Sequence, residues 1–205
     1  MFRSPSRHAF TLIEMITVIA IIAILAGLVL SINGLVQRKA ASARAETEIR
    51  TLTAACEAYK SDNGGYPQTT ATDALDPVAT ANPTGYWAAS LALYKALSAD
   101  TNADGQIDPA TETGKNYAPD FFKAARLGGI KTNGVVTTVQ YLVDPFGNSY
   151  GYSTAGLKAE QDFRVKLTTD PNATRTSAGY NSTFDLWSTG GQTTSAGTPK
   201  WIKNW

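Results

Sequence analysis

The sequence predicts an α+β fold: a long N-terminal helix, lipid-soluble in its first half, whose second half packs on a small antiparallel β-sheet domain. Three observations carry this. Met15 to Ile32 run for 18 residues without a charge. Residues 37–61 contain no Gly or Pro and repeat apolar side chains at helical spacing. The C-terminal third alternates apolar and polar residues between turns that carry Pro and Gly.

Composition bounds the function. The 205 residues make one domain with a modest appendage and argue against a multidomain enzyme. Eighteen Lys and Arg against 17 Asp and Glu leave a net charge of +1, so there is no basic field for nucleic acid. One Cys excludes an internal disulfide, and Cys/His zinc sites lack ligands. The only His is His8. If the N-terminus is removed, His-based triads, general bases and metal sites go with it.

The chain opens with a short polar stretch bearing Arg3 and Arg7, followed by Ala9, Phe10-Thr11-Leu12-Ile13-Glu14 and the uncharged run. As a helix that run spans about 27 Å, against a hydrocarbon core of about 30 Å. A secretory signal peptide is cut after its apolar region. Here the small residue, Ala9, precedes the apolar region. Charge does not orient the span, because Arg38, Lys39 and Arg44 follow its other end. Glu14 is the carboxylate that interrupts the apolar stretch, and ionisable residues at membrane depth are functional by default. The alternative is an interfacial position of little cost.

This arrangement resembles the class III signal of type IV pilins and of the pseudopilins of type II secretion. The resemblance implies cutting between Ala9 and Phe10 by a prepilin peptidase, N-methylation of Phe10, and pairing of Glu14 with a neighbouring subunit's Phe10 amine during assembly. Ala9 departs from the family, which usually has Gly there. The implied domains are a cleaved leader (1–9), a transmembrane and assembly helix (10–36) and a periplasmic globular domain (37–205). The protein would sit in the inner membrane as a single-pass chain with its C-terminal domain in the periplasm.

In the second half of the helix, Ala45, Ile49, Leu52, Cys56 and Tyr59 form one apolar stripe, with Cys56 as a buried small hydrophobe. Asn33-Gly34, two weak helix formers, read either as a local break or as a tolerated Gly. Asp62-Asn63-Gly64-Gly65-Tyr66-Pro67 ends the helix, with Gly past the stop and Pro soon after. Residues 68–85 read as a surface loop. A second helix is predicted over Tyr86–Ser98 on the spacing of Trp87, Leu91, Tyr94 and Leu97.

Residues 100–108 match most of an EF-hand loop: Asp100, Asn102, Asp104 and Asp108 at positions 1, 3, 5 and 9, Gly105 at 6, Gln106 at 7 and Ile107 at 8. Position 12 is Thr111, with Glu112 one place later. Calcium is therefore a candidate cofactor, with Asp100, Asn102, Asp104, Gln106, Asp108 and Glu112 as candidate ligands. The alternative is a polar turn that needs no ion.

Strands are predicted around Val139–Val143 and Ser149–Tyr152, joined by a turn at Asp144-Pro145-Phe146-Gly147-Asn148, and at Phe163–Leu167 and Thr183–Trp187, making a four-stranded antiparallel sheet. The Tyr59–Pro67 string, the Asp144–Tyr150 turn and the Phe184–Ser188 element with Asn204-Trp205 resemble the major pseudopilin of type II secretion. The resemblance covers 8–67, 141–152 and 183–205, but not 68–140 or 153–182. The family's C-terminal calcium loop does not carry over, since residues 188–205 contain no Asp or Glu and Gln192 stands where an acid is expected.

The resemblance implies a pilin-like structural subunit, not an enzyme. It would form a helical homopolymer and work with minor pseudopilins, an inner-membrane platform protein, an assembly ATPase and a secretin. The alternatives are a type IV pilus major pilin and a non-polymerising, membrane-anchored calcium-binding module.

Overall fold

The computed structural model describes residues 10–194 and 200–205, with the side chains of 28–33 outside the description. Contacts divide the chain into two units, residues 1–40 and residues 41–205. Helix α1, Leu12–Asn63, passes through Gly34 as a helix, so the tolerated-Gly reading holds. It stops where the sequence predicts: Gly64 takes φ +77°, a left-handed conformation that suits Gly, and its N–H donates to the Lys60 carbonyl at 2.8 Å.

In the second unit the predicted stripe of α1 is the core face. Ala45, Ile49, Leu52 and Cys56 are buried, and Tyr59 packs half-buried against the same cluster. Ile49, Leu52, Cys56 and Tyr59 share that cluster with Leu93, Tyr94 and Leu97 of α3 (Trp87–Ser98), Val136, Val139 and Leu142 of β2 (Val135–Leu142), and Tyr152, Phe184 and Leu186. Burial drives the Cys56 thiol pKa far up, leaving an unreactive small hydrophobe.

The segment predicted as a plain loop contains α2, Thr70–Ala74, and a 3-10 turn at Pro83–Tyr86. Thr69 and Thr72 cap α2 reciprocally, and Asn82 accepts from Thr84 N–H ahead of a Pro in the first turn. Helix α3 is rotated from the predicted face. Trp87 is 39% exposed and stacks on Tyr141, while the buried row is Tyr86, Ala89, Ser90, Leu93, Tyr94 and Leu97. Both rows have helical spacing, and the polar Ser90 hid the true one. Its hydroxyl accepts from the Leu142 N–H at 2.9 Å, tying α3 to β2.

The strands form two antiparallel sheets in place of the predicted four-stranded one. Strands β1 (Leu127–Thr132) and β2 pair around an Asn133-Gly134 turn with φ of 53° and 81°, the short-range hairpin signal. Strands β3 (Gly151–Ser153), β4 (Asp185–Ser188) and β5 (Ile202–Lys203) form the second sheet in the order β3-β4-β5. The Asp144 turn joins them. Val143 bridges Ser149, and the Asp144 carboxylate accepts from the N–H groups of Phe146 and Asn148. The predicted strand at Phe163–Leu167 is instead the end of helix α4, Ala155–Leu167. Its short alternation is outweighed by a Pro-free run with Lys158–Asp162 and Glu160–Arg164 pairs one turn apart.

A second cluster, Leu75, Ala81, Tyr86, Ala89, Trp187 and Trp201, joins α2, α3 and the second sheet. Trp201 stacks on Trp187 at 5.7 Å.

Candidate functional site

A helix begins with four backbone N–H groups that lack intrahelical partners. In α1 the start is organised by Thr11 and Glu14. The Thr11 N–H and hydroxyl each donate to Glu14 Oε2 at 2.8 Å, and the Glu14 N–H donates back to Thr11 Oγ1 at 3.3 Å. This is the reciprocal capping of a T-x-x-E sequence. It holds the carboxylate at the first turn, beside Phe10, which is 75% exposed. Thr11 escaped the sequence reasoning, although the T-x-x-E spacing was the signal that could have found it. The predicted cleavage partner Ala9 lies outside the described residues, as do Arg3, Arg7 and His8.

Beyond the cap, Leu12, Ile13, Ile16, Ile19, Ile22 and Ile24 are all more than half exposed. A helix apolar on every side has no solvent-facing surface to offer, and the stable surroundings for one are lipid or other apolar helices. Among the described residues no helix is long and apolar enough to cross a membrane. The predicted run Met15–Ile32 extends into the side chains of 28–33, outside the description.

In the second unit a buried carboxylate that the sequence did not single out fastens α1 to the sheets. Glu48 Oε1 accepts from Arg126 Nη2 at 2.6 Å and Nε at 3.0 Å, and Oε2 accepts from the Tyr150 hydroxyl at 2.8 Å. Arg44 Nε lies 3.6 Å from Oε1. Burial and the neighbouring Glu48 carboxylate raise the Tyr150 pKa, so the phenol stays protonated as the donor.

The predicted calcium loop is built around its own backbone. Ala99, Ala103 and Gly105 take positive φ. The Asp100 carboxylate accepts from Ala103 N–H at 2.6 Å, Gly105 N–H at 2.8 Å and the Tyr94 hydroxyl at 2.6 Å. Glu112 accepts from Thr101 N–H at 2.6 Å, Asn102 N–H at 3.1 Å and Asp108 N–H at 3.0 Å, and these backbone donors hold its pKa below the usual carboxylate range. Asp104 accepts from Gln106 N–H, and Asp108 from Ala110 N–H and the Thr111 hydroxyl. Among the described residues no three His, Cys, Asp or Glu gather as a metal-holding group. The two carboxylates at the ends of the loop accept from N–H groups of the loop itself.

Residues 4–30 match the family model described as the prokaryotic N-terminal methylation motif. No curated protein and no solved structure matches the chain. The matched stretch spans most of the leader, Phe10, the Thr11–Glu14 cap and most of the apolar run, and the motif implies processing by a prepilin peptidase and assembly into pilus-like filaments. The motif supports a type IV pilin-like, prepilin-processed structural subunit anchored by its N-terminus.

Proposed function

We propose that this chain is a structural subunit of a type II secretion pseudopilus, built into a helical homopolymer through its N-terminal helix to drive protein export. The Thr11–Glu14 cap carries the proposal. It fixes one carboxylate at the tip of a helix whose first turns are otherwise apolar and exposed, next to the residue whose amine becomes a terminal ammonium once the leader is removed. In low-dielectric surroundings that carboxylate needs a cationic partner, and the Phe10 amine of an adjacent copy supplies one. Prepilin peptidase cuts between Ala9 and Phe10 and methylates Phe10. The helix of residues 10–36 then lies in the inner membrane, with the domain of residues 37–205 in the periplasm. Minor pseudopilins, a platform protein, an assembly ATPase and a secretin complete the machine.

A pseudopilus is favoured over a surface type IV pilus by the lone, buried Cys56, which cannot close the C-terminal disulfide loop common in such pilins. Intact-mass measurement of membrane-extracted protein should show a chain nine residues shorter than the 205 of the sequence, beginning at N-methylated Phe10. Deleting the gene should abolish export of secreted proteins while leaving twitching and adhesion intact. Loss of twitching or adhesion with intact export would identify a pilus subunit, and unprocessed Met1 in sheared filaments would sink the assignment.

A further inference from the structure

Residues 171–183 carry no helix or strand, yet this strap is tied down by its own backbone. The N–H groups of three successive residues meet two carboxylates: Gly179 donates to Asp76 Oδ1 at 3.2 Å, Tyr180 to Asp185 Oδ2 at 2.8 Å and Asn181 to Asp185 Oδ1 at 2.9 Å. Asp185 begins β4 and is 1% exposed. Gly179 takes φ +62°, and a Cβ there would stand 2.6 Å from Asp185 Oδ2, so the strap comes closer than a residue with a side chain allows. A second hold lies on α4, where Arg175 Nη2 donates to the Gly156 carbonyl at 3.3 Å and Nε lies 3.6 Å from Glu160. At the strap's other end the Tyr180 ring stacks on Trp205 at 4.6 Å.

Successive N–H groups bring Asp76 and Asp185 together, and two neighbouring carboxylates, one of them buried, resist being charged at once unless a cation joins them. Among the described residues none pairs with either. Lys158 is paired with Asp162, Arg175 with Glu160, and Lys203 lies over the Tyr180 ring. Lys166 lines a pocket with Asp76 but forms no ion pair with it. Asp73, in the same pocket, accepts from Gln68 and Thr154 and adds negative charge. Ser153, opposite Asp185 on β3, is uncharged.

We propose that Asp76 and Asp185 make the strap a proton-operated latch: with a proton on the pair the run 179–181 is held shut, and with both carboxylates charged it loosens and lifts Tyr180 from Trp205. A protonated carboxyl keeps acceptor capacity, so the closed geometry survives protonation. Burial raises the Asp185 pKa, the Tyr180 and Asn181 N–H groups pull it back, and the Asp76 charge adds to the rise. An acid whose pKa is higher in the closed form holds best when protonated. The latch is therefore fully engaged below the ordinary value of 3.8 and slackens as pH rises through the raised one. It lies in the second unit and works alike whichever filament the chain builds.

Hydrogen exchange of the full chain in detergent micelles, read by mass spectrometry on peptides from the strap, tests this. Protection, corrected for the intrinsic exchange rate at each pH, follows the closed fraction. Protection of the 179–181 amides should be about fivefold or more higher at about pH 4 than at about pH 7, the scale of one like-charge contact. Asp76→Asn separates charge from bonding, because the N–H groups of Val78 and Gly179 both fall on Oδ1 and the amide can keep them. It should raise protection at the higher pH and leave the lower one unchanged. Arg175→Ala, which frees only the second hold, should lower protection equally at both and preserve the difference. Protection equal within about twofold at the two pH values overturns the proposal. So does a pH difference that Asp76→Asn leaves intact, or one shared equally by the β2 amides, which would report the whole fold.

Discussion

Removing the Glu48 carboxylate is the most direct test of how the N-terminal helix is fastened to the sheets. Its side chain is 6% exposed and that of Arg126 is 24% exposed, and the Tyr150 hydroxyl beside them belongs to a fully buried residue. Glu48→Ala takes away two bonds from Arg126 and one from Tyr150, and leaves a half-buried guanidinium and a buried phenol without partners. Breaking a buried pair on one side costs about 3–5 kcal/mol. Because Arg126 keeps some access to water, the lower end applies, about 3 kcal/mol. At about 2–4 °C per kcal/mol for a domain of this size, the melting temperature should fall by about 6–12 °C. Glu48→Gln keeps two acceptor and donor positions but no charge, and should cost about half as much. All four tryptophans, Trp87, Trp187, Trp201 and Trp205, lie in the second unit, so their fluorescence follows its unfolding without interference from the first. Pairing Glu48→Ala with Tyr150→Phe removes the orphaned hydroxyl and should recover about 1 kcal/mol. A Glu48→Ala loss below about 1 kcal/mol would refute the reasoning, placing the carboxylate among surface pairs of little worth.

The helix tip and the loop of residues 100–112 supply three more tests. Glu14→Leu should leave the chain in the membrane while sheared filament yield collapses, whereas Thr11→Ala should cut the yield only partly, because the carboxylate survives without its cap. Equal yields in both variants and the unmodified chain would return Glu14 to an interfacial role. Glu112 has a folded-state pKa below its ordinary value, so the stability it supplies is present above that ordinary value and disappears as pH falls through the lower, folded one. Glu112→Gln should therefore flatten the acid side of the melting-temperature profile; an unchanged acid limb would count against the role given to its backbone donors. Melting in chelator and in millimolar calcium tests the loop as an ion site: a bound ion at one hundred times its Kd would add about 2.7 kcal/mol, and agreement within about 1 °C would leave the polar-turn reading. A calcium-dependent rise abolished by Asp104→Ala would place the ion in this loop.

Local signals carried most of the fold that was legible. The stripe Ala45, Ile49, Leu52 and Cys56, the stop at Gly64 and the Asp144 turn each depend on neighbours a few residues away, and each appears where the pattern places it. What failed depended on distance or on competing short patterns. Phe163–Leu167 alternates over five residues, too few to outweigh the thirteen that form α4. The Ser90 row of α3 is polar until its hydroxyl meets Leu142, 52 residues on. At the helix tip Phe10 and Glu14 were legible, and Thr11 would have been from its spacing. Glu48 was not: a Glu four residues after Arg44 reads as an ordinary solvated pair, and its decisive partner Arg126 is 78 residues away.

The burial of Cys56 gives the chain a native clock for its own opening. With the thiol fully enclosed and its pKa far up, an alkylating reagent can reach it only when α1 separates from the sheets around it. Since no other cysteine competes, the labelling rate counts these separations, in micelles, in membranes or in an assembled filament alike. If assembly rests on the first unit alone, the rate should be the same for free and polymerised chains. If neighbours clamp the second unit, it should slow by the free energy that the lattice adds, a quantity read without adding a label or a probe.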